Sequence, residues 1–169
     1  MNEDSSEPKD SFITSGMTHG EKIQVVSRRA FPFSRAEVYR AFADPARLAQ
    51  WWGPNGFTNE FQVFDLQPGG RWEFTMHGPD NTHFEIRKVF VKVVPLERIV
   101  FDHIQPMHTF RMITTYEEHD GATILTWEMN FESLTQNKDL GRFIASANEQ
   151  NFDRLEAHLE GRPVDEDTD

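Results

Sequence analysis

The sequence predicts an α+β architecture: a curved antiparallel sheet of about seven strands around one long C-terminal helix, with two short helices after the first strand. Three observations predict it. Apolar and polar residues alternate through most of residues 57–131, the period of a half-buried strand, with Gly- and Pro-rich turn clusters between the runs. Two helix-start signals stand close together before that region. Only residues 137–159 offer a long Pro-free helical pattern. A meander of six strands needs one face covered, and only that last helix is long enough to cover it.

The elements follow in order. Residues 22–31 read as a strand with Ile23, Val25 and Phe31 in one phase, stopped by Pro32. Ser34 with Glu37 three residues on is a capping box, opening a helix over 34–43 with Val38, Ala41 and Phe42 as its buried stripe. Asp44-Pro45 repeats the start signal, and Gly53-Pro54 breaks this second helix after Trp51-Trp52. Strands are expected at 57–65, 71–76, 82–94, 98–103, 109–118 and 122–131. Trp72, Phe74 and Met76 share one face, as do Phe110, Met112, Thr114 and Tyr116, and Leu125, Trp127, Met129 and Phe131. The run at 82–94 is apolar in both phases, which predicts a bulge. In the last helix Leu140, Phe143, Ile144, Ala147, Asn151 and Leu155 form one stripe, and Gly161 closes it.

Composition narrows the function. The chain has 169 residues, no Cys and a formal charge of -11. Residues 1–20 carry four acids and one base, and residues 160–169 five acids and one base. Residues 1–20 are therefore read as a disordered acidic tail, 21–160 as the domain, and 161–169 as a second acidic tail. An acidic body lacks the electrostatic footprint for nucleic acid or anionic membrane. Without Cys there is no thiol nucleophile or thiolate metal site, and a reducing, cytoplasmic setting is expected. No apolar run approaches the roughly 20 residues of a bilayer span, and no secretion signal is read at the N-terminus.

The segment Phe31-Pro32-Phe33-Ser34-Arg35-Ala36-Glu37-Val38-Tyr39-Arg40-Ala41-Phe42-Ala43-Asp44-Pro45 resembles the opening of the SRPBCC superfamily, which has the helix-grip fold of START domains and birch allergen. Trp51-Trp52-Gly53-Pro54 and Asp65-Leu66-Gln67-Pro68-Gly69-Gly70-Arg71-Trp72 resemble the branch of homologues of the heat shock protein 90 ATPase activator C-terminal domain. Pro95-Leu96-Glu97-Arg98-Ile99-Val100 and Gly121-Ala122-Thr123 echo its later strands. The resemblance runs from about Ile23 to Leu159. It implies a cavity shared with lipid-transfer, polyketide-cyclase and plant-allergen relatives, and a link to chaperones and stress response. One departure is the place where members often carry Gly. Phe84, Glu85 and Ile86 stand there, so a larger side chain would narrow the pocket or serve a partner surface.

The candidate ligand-binding residues are the inward aromatics and methionines: Phe61, Trp72, Phe74, Met76, Phe101, Phe110, Met112, Trp127, Met129 and Phe143, with Ala147. A curved sheet around one helix leaves space between such side chains, and methionines give adaptable walls. Trp51 and Trp52 are about 100° apart on a helix. They are expected to split, one buried and one against the Gly53-Pro54 turn, with Trp51 a candidate for the cavity floor. His77 and His83 flank one turn and His103 and His108 another, and both turns should lie at the cavity mouth. His103 shares the phase of Ile99 and Phe101 and is expected to point inward, as a polar handle for ligand. No carboxylate stands at metal-ligand spacing from these histidines, so no metal and no cofactor are assigned. There is no nucleophile motif, phosphate loop or HExxH. Asp65, Glu73, Glu85 and Glu128 are the strand carboxylates available for acid–base work.

The expected function is binding of a small lipophilic molecule by a monomer or homodimer. The alternatives are a chaperone-associated interaction module, meeting its partner through outward Phe84, Ile86 or Phe90, and a polyketide-cyclase-like enzyme with no catalytic residue assigned.

Overall fold

A computed structural model of the chain describes residues 10–15, 23–106, 108–131 and 138–165. The elements are β1 (Asp10–Ser15), β2 (Ile23–Phe31), α1 (Arg35–Ala43), α2 (Pro45–Trp51), β3 (Thr58–Phe64), β4 (Arg71–His77), β5 (His83–Val94), β6 (Arg98–Gln105), β7 (Phe110–His119), β8 (Ala122–Phe131) and α3 (Lys138–Glu160). All pairings are antiparallel, and the strand order is β1-β2-β8-β7-β6-β5-β4-β3. The seven expected strands are β2–β8, and the helix-grip arrangement is as expected. Among the described residues, no helix is long and apolar enough to cross a membrane.

Both expected tails need correction. Asp10–Ser15 adds an eighth strand by pairing with β2, from Asp10 opposite Arg28 to Ser15 opposite Ile23. At the other end Val164 packs on the core and Asp165 lies 3.4 Å from the Arg154 guanidinium. The other residues of the two tails lie outside the described set.

Local chemistry explains the framework. Ser34 accepts from the Glu37 N–H at 3.2 Å while Glu37 reaches back to the Ser34 N–H, closing the capping box. Asp44 accepts from the Ala46 N–H with Pro45 at the first turn of α2. The β7–β8 hairpin turns on Asp120 and Gly121, both at positive φ, the backbone of a type I′ turn. Gly70 is fixed by crowding, since a Cβ there would lie 2.0 Å from the Asp65 carbonyl oxygen.

Bulges account for the mixed phase of β5. Phe90 faces Phe101 and Lys92 faces Val100, so Val91 is extra and is pushed to the surface. A second shift, on β6, leaves Ile104 as the extra residue, also exposed. The inward row of β5 is therefore Ile86, Lys88 and Phe90. This overturns the expectation that Ile86 and Phe90 face outward, because Phe90 packs between Phe64, Trp72 and Phe101.

The helix docks through polar groups. Arg29 on β2 is buried and ion-pairs Glu149, Asp153 and Glu156 along α3 at 2.9–3.3 Å. Asn148 donates to the Ser27 hydroxyl, and Asn151 donates to the Trp51 carbonyl while accepting from the Gly53 N–H. Arg154 donates to the carbonyls of Gly53 at 2.8 Å and Phe57 at 2.7 Å, and also to that of Pro54. The buried face of α3 holds Asn148, Asn151, Phe152, Arg154, Leu155 and Ala157; Asn151 and Leu155 of the expected stripe are on it, Leu140 and Ile144 are partly buried, and Phe143 is 68% exposed.

Arg154 ties the Gly53–Phe57 turn to the helix, so Arg154→Met should strip donors from several carbonyls. A loss of about 3 kcal/mol is expected, since hydrogen bonds to a charged group are worth about 1.5–3 kcal/mol each. Urea denaturation measures it, and a loss below about 1 kcal/mol would show the turn to be held by packing alone.

Candidate functional site: an apolar pocket with a buried amine behind its wall

An open pocket of about 340 Å³ lies between the N-terminal turns of α3 and the ends of the central strands. The far wall comes from the sheet: Met76 of β4, Phe84 and Ile86 of β5, His103 of β6, Phe110 of β7, and Met129 and Phe131 of β8. Leu140, Phe143 and Ile144 of α3 form the near wall, and Pro54, Phe57, Pro106 and His108 close the rim. The pocket exists because α3 is drawn down at its C-terminal half by Arg29, Asn151 and Arg154, while its first turns stand away from the sheet.

The residues singled out from sequence divide into two groups. Met76, His103, Phe110, Met129 and Phe143 line this pocket. Trp51, Trp72, Phe74, Phe101, Met112 and Trp127 are buried in the core instead, with Phe61 half-buried on Phe74 and Trp72. Ala147 is half-buried and outside the pocket lining. The expected split of the two adjacent tryptophans does not occur. Trp52 is the C-cap of α2 with extended backbone, so it leaves the helical phase and both rings reach Trp127.

The histidines also divide. His103 and His108 line the pocket, whereas His77 and His83 pair with each other outside it, ring centroids 6.0 Å apart, with His77 3.4 Å from Glu60. No cluster of three or more His, Asp or Glu able to hold a metal occurs among the described residues. The four strand carboxylates do not enter the pocket lining. Glu73 pairs with Arg71, Glu85 accepts from Thr75, and Glu128 accepts from Gln24 and Asn130.

Behind the His103 wall lies a residue that the sequence reading missed. Lys88 is only 4% exposed. Its Nζ sits 4.8 Å from the centroid of the Phe101 ring, 5.3 Å from Phe110, 5.5 Å from Trp72 and 5.8 Å from Trp52. Its hydrogen-bond partner is His103 Nδ1 at 3.0 Å. On the other side of that ring, Nε2 lies 2.9 Å from the Pro106 carbonyl oxygen. A carbonyl only accepts, so Nε2 carries the hydrogen and Nδ1 is the lone pair that receives Lys88. The His103 ring stacks on Phe110 at 4.8 Å. Burial pushes the Lys88 ammonium down to about 7. Burial first, and then the Lys88 charge, holds His103 down to about 3 against the pull of the Pro106 carbonyl. The available signal was a lysine in the inward phase of a strand between Ile86 and Phe90, hidden by the uncertainty over where the bulge falls.

Comparison with known proteins agrees with this architecture. A solution structure from Arthrobacter aurescens superposes with a TM-score of 0.75 at 20% identity, covering 82% of this chain and 86% of that one. A crystal structure from Nitrosomonas europaea gives 0.74 at 18% identity, covering 82% and 94%. The AHSA1 protein of Silicibacter pomeroyi gives 0.68 at 17% identity, covering 81% and 97%. At these identities the likeness establishes the fold. A search of curated proteins returns no match. Residues 32–160 match the model of the family described as Activator of Hsp90 ATPase homolog 1-like protein, and the chain belongs to that family.

Proposed function

We propose that this protein binds a small lipophilic molecule in the pocket between α3 and the sheet. The observation that supports this most is the pocket wall itself. Pro, Phe, Met, Ile and Leu side chains surround about 340 Å³ of space, and among the described residues of the lining histidine is the only polar type. Such a surface is poorly matched to water and suits a guest of low polarity held by a few directional contacts. Phe84 and Phe143, both exposed, stand in the lining rather than on a separate patch, so their apolar surface is accounted for by the pocket mouth.

The buried amine strengthens this reading. An apolar side chain in the same place would pack without desolvating a cation, so Lys88 costs the fold stability. Groups held at such a cost cluster at sites of function.

Two outcomes test the proposal. Native mass spectrometry of freshly purified protein should show excess mass that organic extraction removes. Ile144→Trp, which fills the pocket from the helix side, should abolish that excess while the far-ultraviolet circular dichroism stays unchanged. A ligand at 100 times its dissociation constant should add about 2.7 kcal/mol to the wild type and little to the variant. Equal stabilisation of both proteins would place binding elsewhere.

The amine sets a pH dependence. Lys88 in the folded chain gives up its proton near 7, against about 10.4 when unfolded. Between those values the unfolded chain binds the extra proton, so the penalty is full below about pH 7 and fades as pH rises toward 10.4. Lys88→Met should therefore be more stable than wild type at neutral pH, with the gap narrowing by pH 10. A gap that does not change with pH would mean that Lys88 is charged to the same degree in both states.

A further inference from the structure

We infer that the ligand is an acid: a lipophilic molecule whose anionic oxygen is received at the inner wall of the pocket by His103 Nε2–H, with the Lys88 ammonium supporting it from behind. This rests on the ligand-binding reading and adds the chemical class of the guest.

Three features of the structure lead there. The first is an excess of donors. Lys88 brings three N–H groups when charged and spends one on His103. Among the described residues no carboxylate lies within ion-pair distance of it, in contrast to Arg29, which meets three. The buried Trp72 indole N–H, whose ring lies beside the Lys88 amine, has no acceptor among the described residues either. A region of donors without an anion has a positive potential, and the low dielectric around it makes that potential felt.

The second feature is the place of the Pro106 carbonyl. It accepts the His103 Nε2–H, and Pro106 and His103 are both part of the pocket lining. That carbonyl holds the donor in the ligand-free chain, so an acidic oxygen entering the pocket would displace it from Nε2–H. A carboxylate is the stronger acceptor, because a charge-assisted hydrogen bond is about twice as strong as a neutral one.

The third feature is the order of the groups. The relay runs from the Lys88 amine to Nδ1 and from Nε2 to the acceptor. A negative charge at the Nε2 end favours a full proton on Lys88 at the other. The anion therefore enters with uptake of one proton from solvent wherever Lys88 is not already charged, and no group in the pocket has to change partner except the Pro106 carbonyl. The titratable groups that face this relay are Lys88 of β5, His103 of β6 and His108 of the β6–β7 loop. The depressed affinity of Lys88 for its proton agrees with this arrangement.

The test uses octanoate and octanol, which share a chain and differ in the charged head. Calorimetric titration at pH 7 should show octanoate binding the wild type about tenfold more tightly than octanol, which is about 1.4 kcal/mol. The preference should vanish in Lys88→Met through loss of octanoate affinity. In the wild type, titrations in two buffers of different ionisation enthalpy should show proton uptake with octanoate at about pH 8 and none with octanol. Octanol binding as tightly as octanoate, or a preference that survives in Lys88→Met, would overturn the acid assignment while leaving an apolar pocket in place. Failure of both probes to bind would count against the pocket reading as well. The wild-type comparison needs no variant, so the outcome does not depend on how Lys88→Met folds.

Discussion

Everything in this molecule depends on how α3 is anchored. The helix is held at its C-terminal half by buried polar contacts as well as by Phe152 and Leu155 in the core. Arg154 takes the carbonyls of the Gly53–Phe57 turn, Asn151 takes both sides of the Trp51–Gly53 link, and Arg29 reaches across from β2 to three acids on the helix. Each contact is directional, so together they fix both the height and the rotation of the helix over the sheet. Toward its N-terminus α3 has Leu140, Phe143 and Ile144, whose apolar contacts are non-directional. The space between those residues and β5–β8 is the pocket. The cavity follows from where the polar anchors are.

Three buried cations serve three different ends. Arg29 is neutralised by carboxylates, and Arg154 is satisfied mainly by backbone carbonyls, with Asp165 at the edge. Both arrangements return hydrogen bonds for the desolvation they incur. Lys88 has one hydrogen bond to a neutral ring and four aromatic faces. Aromatic faces attract a cation, by about 2 kcal/mol or more for a desolvated contact, but accept few directional bonds. Burial therefore lowers its pKa to about 7.

Much of the fold was legible in the sequence because it follows from short-range chemistry. The capping box at Ser34 and Glu37 and the Asp44-Pro45 start each specify local backbone by their own side chains or φ preferences. Clean alternation in β4, β7 and β8 put Trp72, Met112 and Trp127 on the right face, since period two leaves no choice once the register is set. What could not be read depends on long-range partners. The bulge at Val91 decides which phase of β5 faces in, and it is set by pairing with β6. The rotation of α3 is set with the help of Asn148 and Arg154, which a hydrophobic pattern counts as surface residues. The pairing of Asp10–Ser15 with β2 overrides a composition that reads as tail.

The same reasoning explains why the pocket wall was only partly foreseen. Inward-facing position is a property of one strand, whereas lining a cavity depends on distance from the helix. Trp72, Phe74 and Phe101 face inward at the end where α1, α2 and the Trp51-Trp52 pair fill the space, so they become core. Met76, Met129 and His103 face inward at the end where α3 stands off, so they become wall. His103 therefore sits on the boundary between the two regions. One edge of its ring meets the amine that the packed end encloses, and the other meets the carbonyl at the pocket rim.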